Sequence, residues 1–299
     1  MNETIGRREV LKYAAAVTAG VGVLGSVGRG QGGAQGGRPL KACQYGMLPK
    51  GLSDVEKFAL AKNCGFEGIE HSPMGDLDAA KEMGALARQA GVPIHSIVYG
   101  GWDAPLSDPK PEVTTKGIAG MENALRSAKA LGADVVLLVP GIVTETVGYA
   151  EAYKRSQANI RKLLPLAKEL QVTIAVENVW NKFLLSPVEF ARYVDEFNDP
   201  WLRAYIDVGN MILFGYAQDW LHTVGKRIVR IHLKDFKRPS ESRGYQWTNL
   251  LDGDVNWPQV RQALDEIGYQ GFLTPELSRG DEAYLTDLVQ RIDKIIAMK

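Results

Sequence analysis

The chain has 299 residues, 35 Lys+Arg against 35 Asp+Glu, 4 His and 2 Cys, and is 45% apolar. Such a length buries a sizeable core. Charge balance speaks against a nucleic-acid partner, two cysteines exclude a disulfide framework, and no apolar run of about 18–20 residues offers a membrane span or anchor. A globular enzyme or small-molecule binder remains.

The opening segment, residues 1–37, reads as an export leader. Adjacent Arg7 and Arg8 precede Leu11 and Lys12, an uncharged Ala/Gly-rich stretch covers 13–28, and a Gly/Gln-rich tail follows. A basic head, a short apolar middle and a small-residue tail define such a signal, and the paired arginines resemble the twin-arginine type. The expected location is periplasmic or secreted, reached through the twin-arginine export machinery. No cysteine ends the apolar stretch, so no lipid anchor is expected.

Beyond the leader, short β-rich runs alternate with amphipathic segments. The predicted strands are Lys41–Met47, Phe66–His71, Val92–Val98, Ala133–Val139, Val172–Glu177, Leu202–Asp207, Ile228–Leu233 and Gly271–Glu276. The clearest helix is Val147–Glu169, where Ala150, Tyr153, Ala158, Ile160, Leu163 and Leu164 recur near helical spacing. Asp54 and Pro187 read as helix starts; Gly65, Gly91 and Gly132 read as C-terminal caps. Strand–helix alternation of this kind predicts an α/β fold, a single-domain (β/α)8 TIM barrel over residues 38–299. An open doubly wound sheet would more naturally carry a G-x-G-x-x-G turn after the first strand, which is missing here.

In such a barrel the site forms at the C-terminal strand ends. Glu177, Asp207, His232 and Glu276 end strands five to eight, at spacings of 30, 25 and 44 residues. Ionisable groups directly after apolar runs need partners, and these can converge on one ion. Three carboxylates and an imidazole suit one divalent metal ion, Mn²⁺ first, with Mg²⁺, Co²⁺ or Zn²⁺ open. A metal there would polarise a substrate carbonyl and stabilise the enediolate left by proton loss from the neighbouring carbon. Glu177 and Glu276, three strands apart, would flank a small carbohydrate substrate as an acid/base pair. Proton return from the far face gives a 3-epimerase; return to the neighbouring carbon gives an isomerase.

The stretch from Val176-Glu177-Asn178 through Asp207-Val-Gly-Asn210 and His232-Leu-Lys-Asp235 to Pro275-Glu276-Leu277 resembles the xylose isomerase-like TIM-barrel superfamily of sugar-phosphate isomerases and epimerases. Within it, the Pro105-Leu106-Ser107 loop and the Gly253-Asp254-Val255-Asn256-Trp257 segment are similar to the L-ribulose/L-xylulose-5-phosphate 3-epimerase branch. The resemblance covers roughly residues 40–297 and implies that Glu177, Asp207, His232 and Glu276 bind the metal. It also implies that the two glutamates move the proton. Arg238 stands where ketose 3-epimerases carry a substrate-contacting Arg. Asn210 stands where epimerases of unphosphorylated sugars usually have His, which leans toward phosphate. Export leans the other way, since sugar phosphates are mainly cytoplasmic.

His95, Glu70, Lys234 and Trp180, with Asn210 and Arg238, complete the predicted substrate contacts. His71, Trp102 and Phe183 are weaker candidates, each with a packing alternative. Lys234 and Asp235 are expected to orient His232. Lys234, Lys237, Arg238 and Arg243 are the phosphate-binding candidates, with a solvated loop as the alternative. Cys43 and Cys64 fit either a disulfide or two buried thiols, and a homo-oligomer is left open. Three other functions use the same fold: a lyase acting on 3-keto-glycosides, a non-catalytic sugar-binding barrel, and a metal-dependent endonuclease. Few histidines and a neutral chain argue against the last.

Overall fold

The computed structural model describes residues 37–240 and 244–298. The predicted leader thus lies outside the described residues except at Gly37, as does Arg243. Eight parallel strands close into a barrel: β1 (Leu40–Gln44), β2 (Gly68–His71), β3 (Ile94–Tyr99), β4 (Val135–Leu138), β5 (Thr173–Glu177), β6 (Leu202–Asp207), β7 (Ile228–Leu233) and β10 (Phe272–Pro275). The ring runs in chain order, with β10 closing between β7 and β1. A small antiparallel hairpin, β8 (Asp235–Lys237) with β9 (Gln246–Thr248), follows β7. The helices are α1 (Asp54–Cys64), α2 (Leu77–Gln89), α3 (Pro111–Leu131), α4 (Tyr149–Leu170), α5 (Pro187–Asp195), α6 (Ala217–Val224), α7 (Trp257–Glu266) and α8 (Glu282–Ala297).

The barrel therefore forms as the sequence predicts, with corrections at element ends. Residues 45–47 leave the first strand as a 3₁₀ turn, and Glu276 lies just past β10. Ser53 caps α1 through a reciprocal pair with Glu56, so Asp54 is the first helical residue; Ser186 likewise caps α5 ahead of Pro187. Gly65 and Gly132 end α1 and α3 in the left-handed region, as predicted, and Gly91, also at positive φ, follows the cap residue Ala90. The hairpin is absent from the sequence expectation.

The strands divide their residues between two cores. Val136 and Leu138 of β4 face the large cluster between sheet and helices, whereas Val135 and Leu137 join Ala175 and Tyr205 in a small separate cluster. This alternation is the period of two that a strand imposes, and it fills the barrel's lumen with side chains. Above the small cluster the lumen becomes polar, which positions the site. Cys43 and Cys64 are both buried free thiols, which settles that alternative.

Candidate metal centre

Strand register brings the four predicted ligands together. Asp207 pairs with His232 across β6 and β7, and Glu177 pairs with Tyr205, two residues before Asp207. One ligand atom each from Glu177, Asp207, His232 and Glu276 lies within 4.8 Å of all the others. The first three are buried and Glu276 is partly open to the mouth. Imidazole Nδ1 of His232 is 2.8 Å from a Glu177 oxygen and 3.1 Å from a Glu276 oxygen.

The turn after β6 explains the Asp207-Val-Gly-Asn210 spacing. One Asp207 oxygen accepts from the backbone N–H groups of Gly209 and Asn210, at 2.8 and 2.9 Å. A Cβ on Gly209 would stand 2.6 Å from that of Lys234, so only glycine lets the two loops approach. Asn178 exchanges hydrogen bonds with the Asp207 backbone in both directions, and the Asn210 side-chain amide donates to the Asn178 carbonyl. The second Asp207 oxygen, Oδ2, is buried and makes no hydrogen bond. An ammonium, Lys234 Nζ, lies 3.2 Å from it and 2.8 Å from Glu276. Lys234 pairs with Oδ2 as an ion, without a hydrogen bond. A buried carboxylate oxygen without a donor, inside an oxygen-rich cluster carrying one imidazole, fits a hard-to-intermediate divalent ion.

Electrostatics separates the carboxyls. Burial raises Glu177 to about 7 against the pull of His232. Burial also opposes ionisation of Glu276, but His232 and Lys234 overrule it and hold that carboxyl down to about 2. For His232 burial alone would favour the neutral ring, yet Glu70, Tyr205 and Glu177 hold it well above the usual imidazole range.

Glu70 corrects the sequence expectation. It is 1% exposed, contacts His232 at Nε2 and is not among the residues lining the cavity. Its carboxylate takes 2.7 Å contacts from Ser96 Oγ and His232 Nε2, 2.6 Å from Tyr205 Oη and 3.0 Å from Gln44 Nε2. Glu70 therefore orients the imidazole, the role expected of Lys234 and Asp235. Asp235 instead accepts from the backbone of Phe236, Gly253 and Val255 and from Trp257 Nε1, tying the hairpin to the loop before α7.

Other predicted contacts also move. His95 is buried within the barrel, where Arg230 donates to its Nδ1 at 3.1 Å and Phe272 stacks on it at 4.0 Å. Burial first, and then Arg230, hold it well below the usual imidazole range, so it is a neutral packing residue. Arg238 donates from Nε to the Ile212 carbonyl and reaches that of Gly215, which bolts the hairpin to the loop after β6. His71 donates to the Ser72 carbonyl and leans on Tyr45, and Phe183 is core. Lys234, Asn210, Trp180 and Trp102 do line the cavity over the four ligands. Trp247 of β9 lines it too, and the sequence reading missed it.

Comparison with known proteins places this arrangement. The family described as "Xylose isomerase-like TIM barrel" matches residues 58–295. A Haemophilus influenzae protein, provisionally named L-ribulose-5-phosphate 3-epimerase SgbU, is 28% identical over 258 residues, covering 81% of this chain and 90% of its own. The L-ribulose-5-phosphate 3-epimerase UlaE of Escherichia coli O1:K1 is 27% identical over 236 residues, covering 75% and 82%. Among solved structures, a D-allulose 3-epimerase from Methylomonas sp. shares the fold at a TM-score of 0.70 and 20% identity, over 87% of this chain and 99% of that one. With a family match across most of its length and the barrel that match implies, the chain belongs to the xylose isomerase-like TIM barrel family.

Proposed function

We propose that the protein is a divalent-metal-dependent carbohydrate isomerase of the ketose 3-epimerase type. The observation that carries this reading is the convergence of Glu177, Asp207, His232 and Glu276 within 4.8 Å at the C-terminal mouth of the barrel. Epimerase relatives of similar length support it. Held by these four residues, Mn²⁺ or a similar ion would supply a Lewis acid for a substrate carbonyl. The chain's own groups do the rest. Glu177 and Glu276 come from strands three apart in the ring and both line the cavity, so they face a bound sugar from different sides. One takes the proton next to the carbonyl and the other returns it. Asn210 and Trp180 border the sugar, and the buried cluster below excludes water. The leader over residues 1–37 supports an extracytoplasmic place of action through twin-arginine export.

The test uses the full chain loaded with Mn²⁺ in D₂O, with ketopentoses, ketohexoses, their phosphates and 3-keto-glycosides followed by NMR. Metal-dependent deuterium at C3 with inversion is expected, falling about 10²–10⁴-fold in Glu177→Gln and in Glu276→Gln. Deuterium at the neighbouring carbon would make it an isomerase, and loss of a substituent from a 3-keto-glycoside a lyase. No exchange with any sugar, despite bound metal, would leave a sugar-binding barrel and overturn the reading.

A further inference from the structure

Three tryptophans stand around the cavity that holds the ligands. Trp102 follows β3, Trp180 follows β5, and Trp247 lies in the hairpin after β7. β3 and β7 are four places apart in a ring of eight, so Trp102 and Trp247 come from opposite sides of the mouth. The three are 52%, 37% and 40% exposed, and all line the cavity with Glu177, His232 and Glu276. The wall on the hairpin side is built in advance of any ligand. Trp180 stacks on Trp247 with ring centroids 5.0 Å apart and an interplanar angle of 28°. Its Nε1 donates to the Asn210 carbonyl at 2.7 Å, and the fully buried Phe236 meets it edge-on at 5.6 Å.

Positive charge on the same walls is scarce. Among the described lining residues Lys234 is the one lysine, and no arginine is among them. Its ammonium already neutralises Asp207 and Glu276. A phosphate dianion wants a bidentate guanidinium or several donors; the described lining offers three indoles and one lysine. What indole faces favour is the C–H face of a neutral ring, with a few polar groups fixing orientation.

The geometry points to a ketose that carries a neutral glycosyl ring, seated between Trp102 and the Trp180–Trp247 wall, as the substrate class in preference to a sugar phosphate. This rests on the ketose epimerase reading above, and it separates the chain from the phosphate named for its relatives.

The test titrates tryptophan fluorescence of the Mn²⁺-loaded full chain with fructose, fructose 6-phosphate and isomaltulose, in which a neutral glucose replaces the phosphate on the same oxygen. Isomaltulose is expected to bind about tenfold more tightly than fructose, the gain of one well-stacked ring. Trp247→Ala should bring the ratio of isomaltulose to fructose affinity down to about one, and Trp247→Phe should keep most of the gain. Tighter binding of fructose 6-phosphate than of isomaltulose, no gain over fructose, or full gain in Trp247→Ala would each overturn the inference. Deuterium uptake in the same samples separates the two readings. Exchange without glycosyl preference removes the inference and keeps the epimerase; a Trp247-dependent preference without exchange does the reverse.

Discussion

Replacing Glu70 by Gln tests whether the residue behind His232 governs the metal centre. The change keeps size and shape and removes one charge. In the native protein four donors converge on this carboxylate, from Gln44, Ser96, Tyr205 and His232. An acceptor-only group facing Nε2 keeps the proton there and leaves Nδ1, which points at Glu177 and Glu276, free to ligate. The amide introduced by Glu70→Gln accepts through one oxygen only. With that oxygen toward Ser96 and Tyr205, its NH₂ faces Nε2 and favours the tautomer protonated on Nδ1, which cannot bind metal. Turned the other way, the amide strands the Ser96 and Tyr205 hydroxyls in a buried site, at about 1–3 kcal/mol each. The expected result is a 10–100-fold loss of Mn²⁺ affinity, about 1.4–2.7 kcal/mol, by calorimetric titration of chelator-treated protein. Circular dichroism should show an unchanged fold. A folded Glu70→Gln protein that binds Mn²⁺ as tightly as the parent would refute the tautomer reasoning.

Mn²⁺ affinity should rise with pH across neutrality. Burial raises Glu177 to about 7, and neighbouring carboxylates overrule burial to keep His232 protonated above its usual range, so binding must expel protons. Calorimetry in buffers of different ionisation enthalpy should detect proton release; none would contradict it. The same sign applies to stability: both groups have raised values, so their contribution is present at low pH and lost as pH rises through those values. Melting of ion-free protein should therefore fall as pH rises from about 5 through 7, where Glu177 ionises, and fall further as His232 loses its proton above its usual range; saturating Mn²⁺ should flatten the fall. Lys234→Met removes the cation held by Asp207 and Glu276; Mn²⁺ should bind at least about tenfold tighter while ion-free protein melts lower, because like charges then face one another. Asp235→Ala strands the buried N–H groups of Val255 and Trp257 and the part-buried one of Gly253, and urea denaturation should show about 3–5 kcal/mol lost.

The barrel is legible because each of its strands is an apolar run bounded by turn residues and followed by a helix-period segment. β8 and β9 are not, since three residues each carry too little alternation to register. Trp247 escapes notice for that reason. The four ligands stand out because an ionisable residue directly after an apolar strand needs an explanation. Glu70 gives the same signal after Gly68 and Ile69, yet its donors come from β1, β3, β6 and β7, around the whole ring. Only strand register shows that it supports a ligand. His95 misleads likewise: its neighbours Arg230, Phe272 and Thr274 lie in β7 and β10, far off in sequence and across the lumen from β3.

Lys234 and Asp235 show a rule that was available in the sequence and outweighed the expectation drawn from it. Successive residues of extended chain face opposite sides. His232 faces the lumen, so Lys234 shares its side and Asp235 cannot. The structure has this arrangement, with the Lys234 ammonium beside the Asp207 and Glu276 carboxylates and the Asp235 carboxylate turned to the loop before α7. Both are therefore committed before any substrate arrives. Asp235 holds the hairpin that carries Trp247, and Lys234 holds the carboxylates in check. A cation held by the cluster would compete with Lys234 for Asp207 and Glu276, so Lys234→Met should tighten Mn²⁺ binding and weaken the ion-free fold through the same two oxygens.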